Sequence, residues 1–183
     1  MNATLIQDTF KYFAKFPSLA GVLKNFNRPP AADGYDTLKA SIAALNPNSL
    51  IAGLEDYVFG SDMLSIKKRI ENATGIYLFV DYGNISDYLE GTARVETGEF
   101  TIGVTIARKM IDDNLDQVEQ VLLADLTLGM ITQLKDFARA DARTVSFVKY
   151  LTLPVDITPW FAPDLFSSMG WTMTFKVKGA SLI

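Results

Sequence analysis

Between Trp171 and Lys178 the chain alternates at every position: Trp171, Met173, Phe175 and Val177 are apolar, and Thr172, Thr174, Lys176 and Lys178 are polar. Neighbouring side chains on an extended strand point to opposite faces, so this stretch describes a strand with one face on a core and the other in water. A strand must also share its backbone hydrogen bonds with a neighbour. Only Gly179 to Ile183 follow, so its partners are expected among strands made earlier, in a sheet built from both ends inward.

Those partners are sought where the period of the sequence becomes two, at Ile76. Residues Ile76 to Tyr82 are apolar at nearly every position, which suits a central strand covered on both faces. Gly83 to Gly91 is polar and bounded by glycines, and reads as an exposed loop. Thr92 to Glu96 and Glu99 to Ile106 then flank Thr97-Gly98, a pair suited to a two-residue hairpin turn because glycine tolerates positive φ. A long helix follows. Asn114 and Gln117 have the spacing of a capping box, and Leu115, Val118, Leu122, Leu126, Gly129, Met130, Leu134 and Phe137 make one stripe. This helix is expected to reach Ala140 in about seven turns and to cover a sheet face, with Gly129 allowing close backbone approach. Extended structure is expected again from Val145 to Ile157, where Pro154 restricts the chain to a sheet edge or bulge. Pro159 to Pro163 reads as a stiff aromatic loop, and Asp164 to Met169 as a short helical turn.

Before residue 76 the spacing is helical. Leu5, Ile6, Thr9, Phe10, Phe13 and Phe16 share a stripe that Pro17-Ser18 interrupts, and Leu19, Val22, Leu23 and Phe26 make another turn or two. The aromatic first helix is either a core element, the preferred reading, or an arm that docks on a neighbour. Asn27 to Gly34, with Pro29 and Pro30, is a surface loop. Tyr35, Leu38, Ile42 and Leu45 form a further stripe, and Ser49 is placed to cap a helix carrying Leu50, Ile51, Leu54, Tyr57 and Val58. Met63, Ile66 and Ile70 lead to a last helix ending in Lys67, Lys68 and Arg69, with Gly75 where a left-handed terminator fits. The three cations invite a binding role, but the preferred reading is that they oppose the helix dipole, at about 0.3–1 kcal/mol each.

The expected fold is therefore α+β: a mostly antiparallel sheet of four to five strands with one long helix packed on a face, preceded by several short N-terminal helices. Residues 1–75 are expected to form a helical extension packed on an α+β sheet domain of residues 76–183. A chain of 183 residues is of single-domain size and buries a real core.

Composition narrows function mostly by exclusion. The absence of Cys removes disulfides and thiolate chemistry, and the absence of His removes imidazole-based triads and the usual zinc or non-haem iron sites. Neither common phosphate-loop pattern occurs, so no cofactor is expected. A net charge of −4 supplies no field for a phosphate backbone, so nucleic acid is not an expected partner. With no secretory signal and no apolar run long enough to span a bilayer, a soluble intracellular protein without membrane partners is expected. The one enzyme-like constellation is Asp81, Asp87 and Glu90 around the polar loop, where a divalent cation or an acid–base pair would be held. No spacing among them matches a carboxylate motif, so no catalytic or metal residue is assigned. Trp160 and Phe161, between two prolines, are either rigid interface anchors or a plug folded on the core. With Thr172, Thr174, Lys176 and Lys178 on the polar face of the closing strand, they make the candidate interface.

The order of elements from Ile76, ending in the strand Gly170-Trp171-Thr172-Met173-Thr174-Phe175-Lys176-Val177, resembles the small tail-completion and tail-terminator proteins of tailed phages and prophages. The resemblance covers roughly the C-terminal 110 residues and rests on architecture; the helical segments before residue 76 exceed what compact members need. It implies a sheet with helices packed on it, no catalysis, and mechanical work: subunits forming a ring at the head–tail junction or tail end. The implied partners are further copies of itself and tail-tube or neck proteins, in the host cytoplasm and then in the virion. The alternatives are a carboxylate-dependent, divalent-metal enzyme and a monomeric protein-binding adaptor that grips its partner through Trp160 and Phe161.

Overall fold

The computed structural model describes residues 5–28, 32–90, 95–110, 116–145, 148, 151–152 and 156–179. Its frame is a sheet whose longest members are β2 (Ile76–Glu90), β3 (Val95–Arg108) and β6 (Ser168–Gly179). β3 lies between the other two, antiparallel to both. On the outer edge of β6 two short strands lie end to end: β4 (Leu151–Thr152) opposite Val177 and Lys176, and β5 (Ile157–Ala162) opposite Met173 to Ser168. The strand closing the chain thus pairs with earlier strands on both edges, as its alternation requires. The other edge of the sheet is β1 (Leu54–Phe59), the one parallel member, which pairs with Ile76 to Val80 of β2. Among the described residues six strands thus fill five positions across, and the architecture is α+β.

Several local expectations are corrected. The segment capped by Ser49 was expected as helix, but Leu54–Phe59 is strand because its side chains are needed on both faces. Leu54 and Tyr57 enter the main core while Val58 enters a second one. The sheet therefore begins before residue 76. Gly83 to Gly91 is not a loop through Glu90: β2 continues, with an irregularity between Tyr82 and Ile85 that absorbs Gly83 and Asn84 within the ladder. Nor do Thr97 and Gly98 turn the chain. They pair with Tyr88 and Asp87 inside a ladder that runs on to Glu90 opposite Val95. Pro159 to Ala162 is strand rather than aromatic loop, because a Pro at a sheet edge sacrifices no ladder bond on its open side. A single 3-10 turn, Pro163–Leu165, then leads into β6.

Among the described residues five α-helices cover the sheet. On one face lie α1 (Leu5–Phe13), α2 (Leu19–Leu23) and α5 (Gln117–Asp141), whose buried side chains join the inward residues of the strands in one cluster, with α3 (Tyr35–Ala43) adding Ile42. Phe13, Phe16, Val80, Phe100, Ile102, Val104 and Phe175 belong to it and are essentially inaccessible. On the opposite face α4 (Met63–Glu71) packs Ile66 and Ile70 over Tyr77 and Phe79. Both faces of Ile76 to Val80 are therefore covered, as their continuous apolar run implies. α4 ends at Asn72 in right-handed conformation, so Gly75 is no left-handed terminator; a Cβ there would run into the Glu55 carboxylate.

The long helix also differs in its cap and its buried face. Asp116 accepts from the Glu119 amide at 2.8 Å while the Glu119 carboxylate accepts from the Asp116 amide, a complete capping box two residues beyond the expected one. Asn114 lies outside the described residues. The side buried on the sheet carries Leu123, Thr127, Met130, Ile131, Leu134 and Ala138. Val118, Leu122, Leu126 and Gly129 of the expected stripe point away from it, and a Cβ at Gly129 would meet nothing within 4 Å outside the helix's own backbone.

Candidate functional site

The first half of α5 has two apolar sides. Leu123, Thr127 and Met130 rest on the sheet, and Trp171 of β6 fixes the helix there by donating from Nε1 to the Ala124 carbonyl at 2.9 Å. The opposite side shows Val118, Val121, Leu122 and Leu126, each half or more exposed, with Leu122 at 64%. Positions three and four apart are neighbours on a helix, so 118, 121, 122 and 126 form one continuous ridge over the first three turns. Asp116, Glu119 and Asp125 are the acidic residues in the same stretch, and all three are exposed.

Beside this ridge the helix and the β5–β6 edge enclose a pocket of about 440 Å³. Gln120 and Ala124 form its helix wall, while Pro159, Phe161, Met169 and Trp171 supply an apolar wall from the sheet. Register places Pro159 opposite Trp171 and Phe161 opposite Met169, so the four side chains share the helix-facing side of the sheet. Phe161 remains 63% exposed. The expected aromatic pair is thus divided. Trp160 points to the other face and packs, half-buried, against the second core, whereas Phe161 stands in solvent beside α5.

The other candidate interface residues are separated in the same way. Thr172 is tied into the sheet, accepting from Thr105 Oγ1 at 2.9 Å and itself 3.3 Å from the Val104 carbonyl. Thr174 and Lys176 are exposed on the face opposite the α5 pocket, and Lys178 lies further along the same strand. The carboxylates do not gather into a site. Asp87 and Glu90 follow Asp81 on one extended strand, opposite Gly98, Val95 and Gly103 respectively in the order 87, 90, 81. At about 3.3 Å per residue these backbone positions are strung over roughly 25 Å, whereas a single cation gathers ligands within about 2.6 Å. Among the described residues no group of three or more His, Cys, Asp or Glu is placed to share a metal ion. Asp81 is half-buried, and that burial raises its carboxyl above the usual range.

Sequence reasoning found the apolar residues of α5 but assigned them to the core, because Val118, Leu122 and Leu126 repeat at four just as a buried stripe does. Met130 and Leu134 of the expected stripe do face the core, and the distinguishing signal was that Leu123, Thr127 and Ala138 continue their side at three and four, including a threonine that bonds its own helix at the Leu123 carbonyl. No described helix is long and apolar enough to cross a membrane. Comparison with protein-family models finds no match to this chain, and comparison with curated proteins finds no significant match.

Proposed function

We propose that this protein is a structural assembly subunit of a phage or prophage tail or head–tail junction, self-associating into a ring and meeting tail-tube or neck proteins there. Self-association is carried by the outward ridge Val118, Val121, Leu122 and Leu126. A helix with one apolar stripe lies on a core, but a helix apolar on two sides belongs between two bodies. Full burial of such side chains is worth roughly 1.5–3 kcal/mol each, so a few of them meeting a complementary surface supply a driving force on the scale of subunit association. Phe161 and the adjoining pocket extend the same apolar region onto the sheet edge. A ring needs each copy to offer two different surfaces, of which the ridge is one. The phage setting rests on the resemblance of the closing strand and of the element order, with which the sheet and its covering long helix are in keeping.

Light scattering over a range of concentrations, with electron microscopy of the largest species, tests the proposal. The expected result is a mass above that of the monomer and closed rings. Leu122→Glu combined with Leu126→Glu should return the protein to monomer while leaving its circular dichroism melt nearly unchanged, because neither side chain faces the core. A parent protein that stays monomeric at every concentration and binds no tail-tube or neck protein would sink the reading.

A further inference from the structure

The chain as a whole is acidic, with a net charge of −4, yet one groove is lined by three cations and no carboxylate. It encloses about 430 Å³ between the segment after α2, the start of α3 and the outer side of α4. Arg69 is built in rather than loose. Its Nη1 donates both hydrogens, to Asn25 Oδ1 at 2.9 Å and to the Phe59 carbonyl at 2.8 Å. Asn25 is itself locked, its amide donating to the carbonyls of Val22 and Tyr57 at 3.0 Å each. All of these acceptors are neutral, so none of them compensates the guanidinium charge, and Nη2 and Nε are left for solvent or a ligand. Arg28 and Lys68 complete the set. The ion pairs among the described residues are Lys15–Asp141, Lys24–Asp56 and Arg139–Asp136, and none uses a cation of the groove.

Lys68 and Arg69 are not needed to finish their own helix. The Lys68 carbonyl accepts from the Asn72 side chain, those of Arg69 and Ile70 from the Asn72 amide, and that of Glu71 from Lys109. Of the acids nearby, Asp56 holds Lys24 and the Thr74 amide and Asp62 caps α4 through Ser65, while Asp33, Asp36 and Glu71 flank groove residues in sequence without lining the groove. Three uncompensated cations, two of them guanidinium groups, favour a doubly charged, multi-oxygen anion, since a guanidinium fork meets phosphate oxygens in pairs. The groove is larger than an ion requires, and Tyr35, its hydroxyl donating to the Arg28 carbonyl at 3.0 Å, supplies an aromatic wall for the rest of a ligand. We propose that this groove binds the phosphate group of a small phosphorylated molecule. The proposal stands apart from assembly, because the α5 ridge does not line the groove.

Titration of the full chain at low salt with inorganic phosphate, AMP and uncharged adenosine, followed by calorimetry, tests it. Saturable binding of AMP or phosphate is expected, weakening as salt is added, with none of adenosine. An Arg28→Ala, Lys68→Ala double variant should lose about tenfold or more in affinity, as removal of charge-assisted hydrogen bonds does. An unchanged melting temperature without ligand separates this loss from misfolding, and Lys135→Ala on α5 should bind like the parent. Tighter binding of AMP than of phosphate assigns the Tyr35 wall to the body of the ligand; equal binding assigns the groove to the phosphate group alone. No saturable binding of either anion, binding of adenosine as strong as that of AMP, or a double variant that binds like the parent overturns the proposal.

Discussion

Asp81 sits where β2 passes beyond the end of β1, opposite Gly103 of β3 and half-buried. Burial penalises the charged form, so its carboxyl is raised in the folded protein. The consequence for stability has a definite sign. An acid whose folded pKa exceeds its unfolded one holds its proton longer in the native state, so the native state binds more protons over that interval and stability falls as pH rises. Below the ordinary carboxylate range, about pH 4, both states are protonated and the penalty vanishes. Asp81→Asn should therefore raise the urea midpoint at about pH 7 and have little effect below about pH 4. Equal gains at both pH values would mean that ionisation of Asp81 is not the source. Tyr77 is a second buried polar group, but of another kind. Its ring fills the second core, and burial of its hydroxyl, only partly offset by the Ser168 side chain, pushes its pKa well up. It remains neutral throughout, so it adds no slope with pH.

At the level of elements, α2 and α5 show why helix propensity alone misleads. Each contains a glycine, and glycine costs a helix roughly 0.5–1 kcal/mol relative to alanine. Gly129→Ala, in open space on α5, should recover about that amount. Gly21→Ala should do the reverse: a Cβ on α2 would overlap the Glu55 carbonyl oxygen of β1, and displacing backbone costs typically 1–3 kcal/mol or more. Opposite signs in paired urea titrations are the expected outcome, and a loss at both sites would mean that α5 is also crowded at Gly129. The sequence reading expected close approach at Gly129 because it assigned Val118, Leu122 and Leu126 to the core. Periodicity shows that apolar residues share a side, but not which body covers that side. The same limit explains β1. Leu50, Ile51, Leu54, Tyr57 and Val58 match a helix until it is known that Leu54 and Val58 enter different cores. By contrast, β6 was legible from Trp171 to Lys178, since strict alternation with a core on one face admits a single register, whereas Ser168 and Met169 read as helical turn and are strand. The groove was not legible, because it needs Arg28 beside Arg69, and nothing local in sequence brings them together.

Across the whole molecule, the question is whether the N-terminal helices unfold with the sheet. Phe13 is inaccessible and lies 5.8 Å, ring to ring, from Phe175 on β6, the strand that closes the sheet. Tyr57 on β1 donates to the Phe10 carbonyl at 3.1 Å, and Asp141 at the end of α5 accepts from Tyr12 and pairs with Lys15. First helix, edge strand, long helix and last strand thus share one interior, and removing any one exposes the rest. Such an interior melts in a single step. Far-ultraviolet circular dichroism, weighted to the helices, and the fluorescence of Trp160 and Trp171, both on the sheet, should give coincident urea transitions. Phe13→Ala should move both midpoints together, by the equivalent of about 3–5 kcal/mol, the usual cost of emptying a buried phenylalanine site. Were the helices an arm that docks on a neighbour, the dichroism signal would change first and Phe13→Ala would leave the tryptophan transition in place. That result would separate residues 5–26 from the sheet energetically, despite the shared interior. It would also shift the search for a subunit interface from the outward ridge of α5 to the aromatic face of α1.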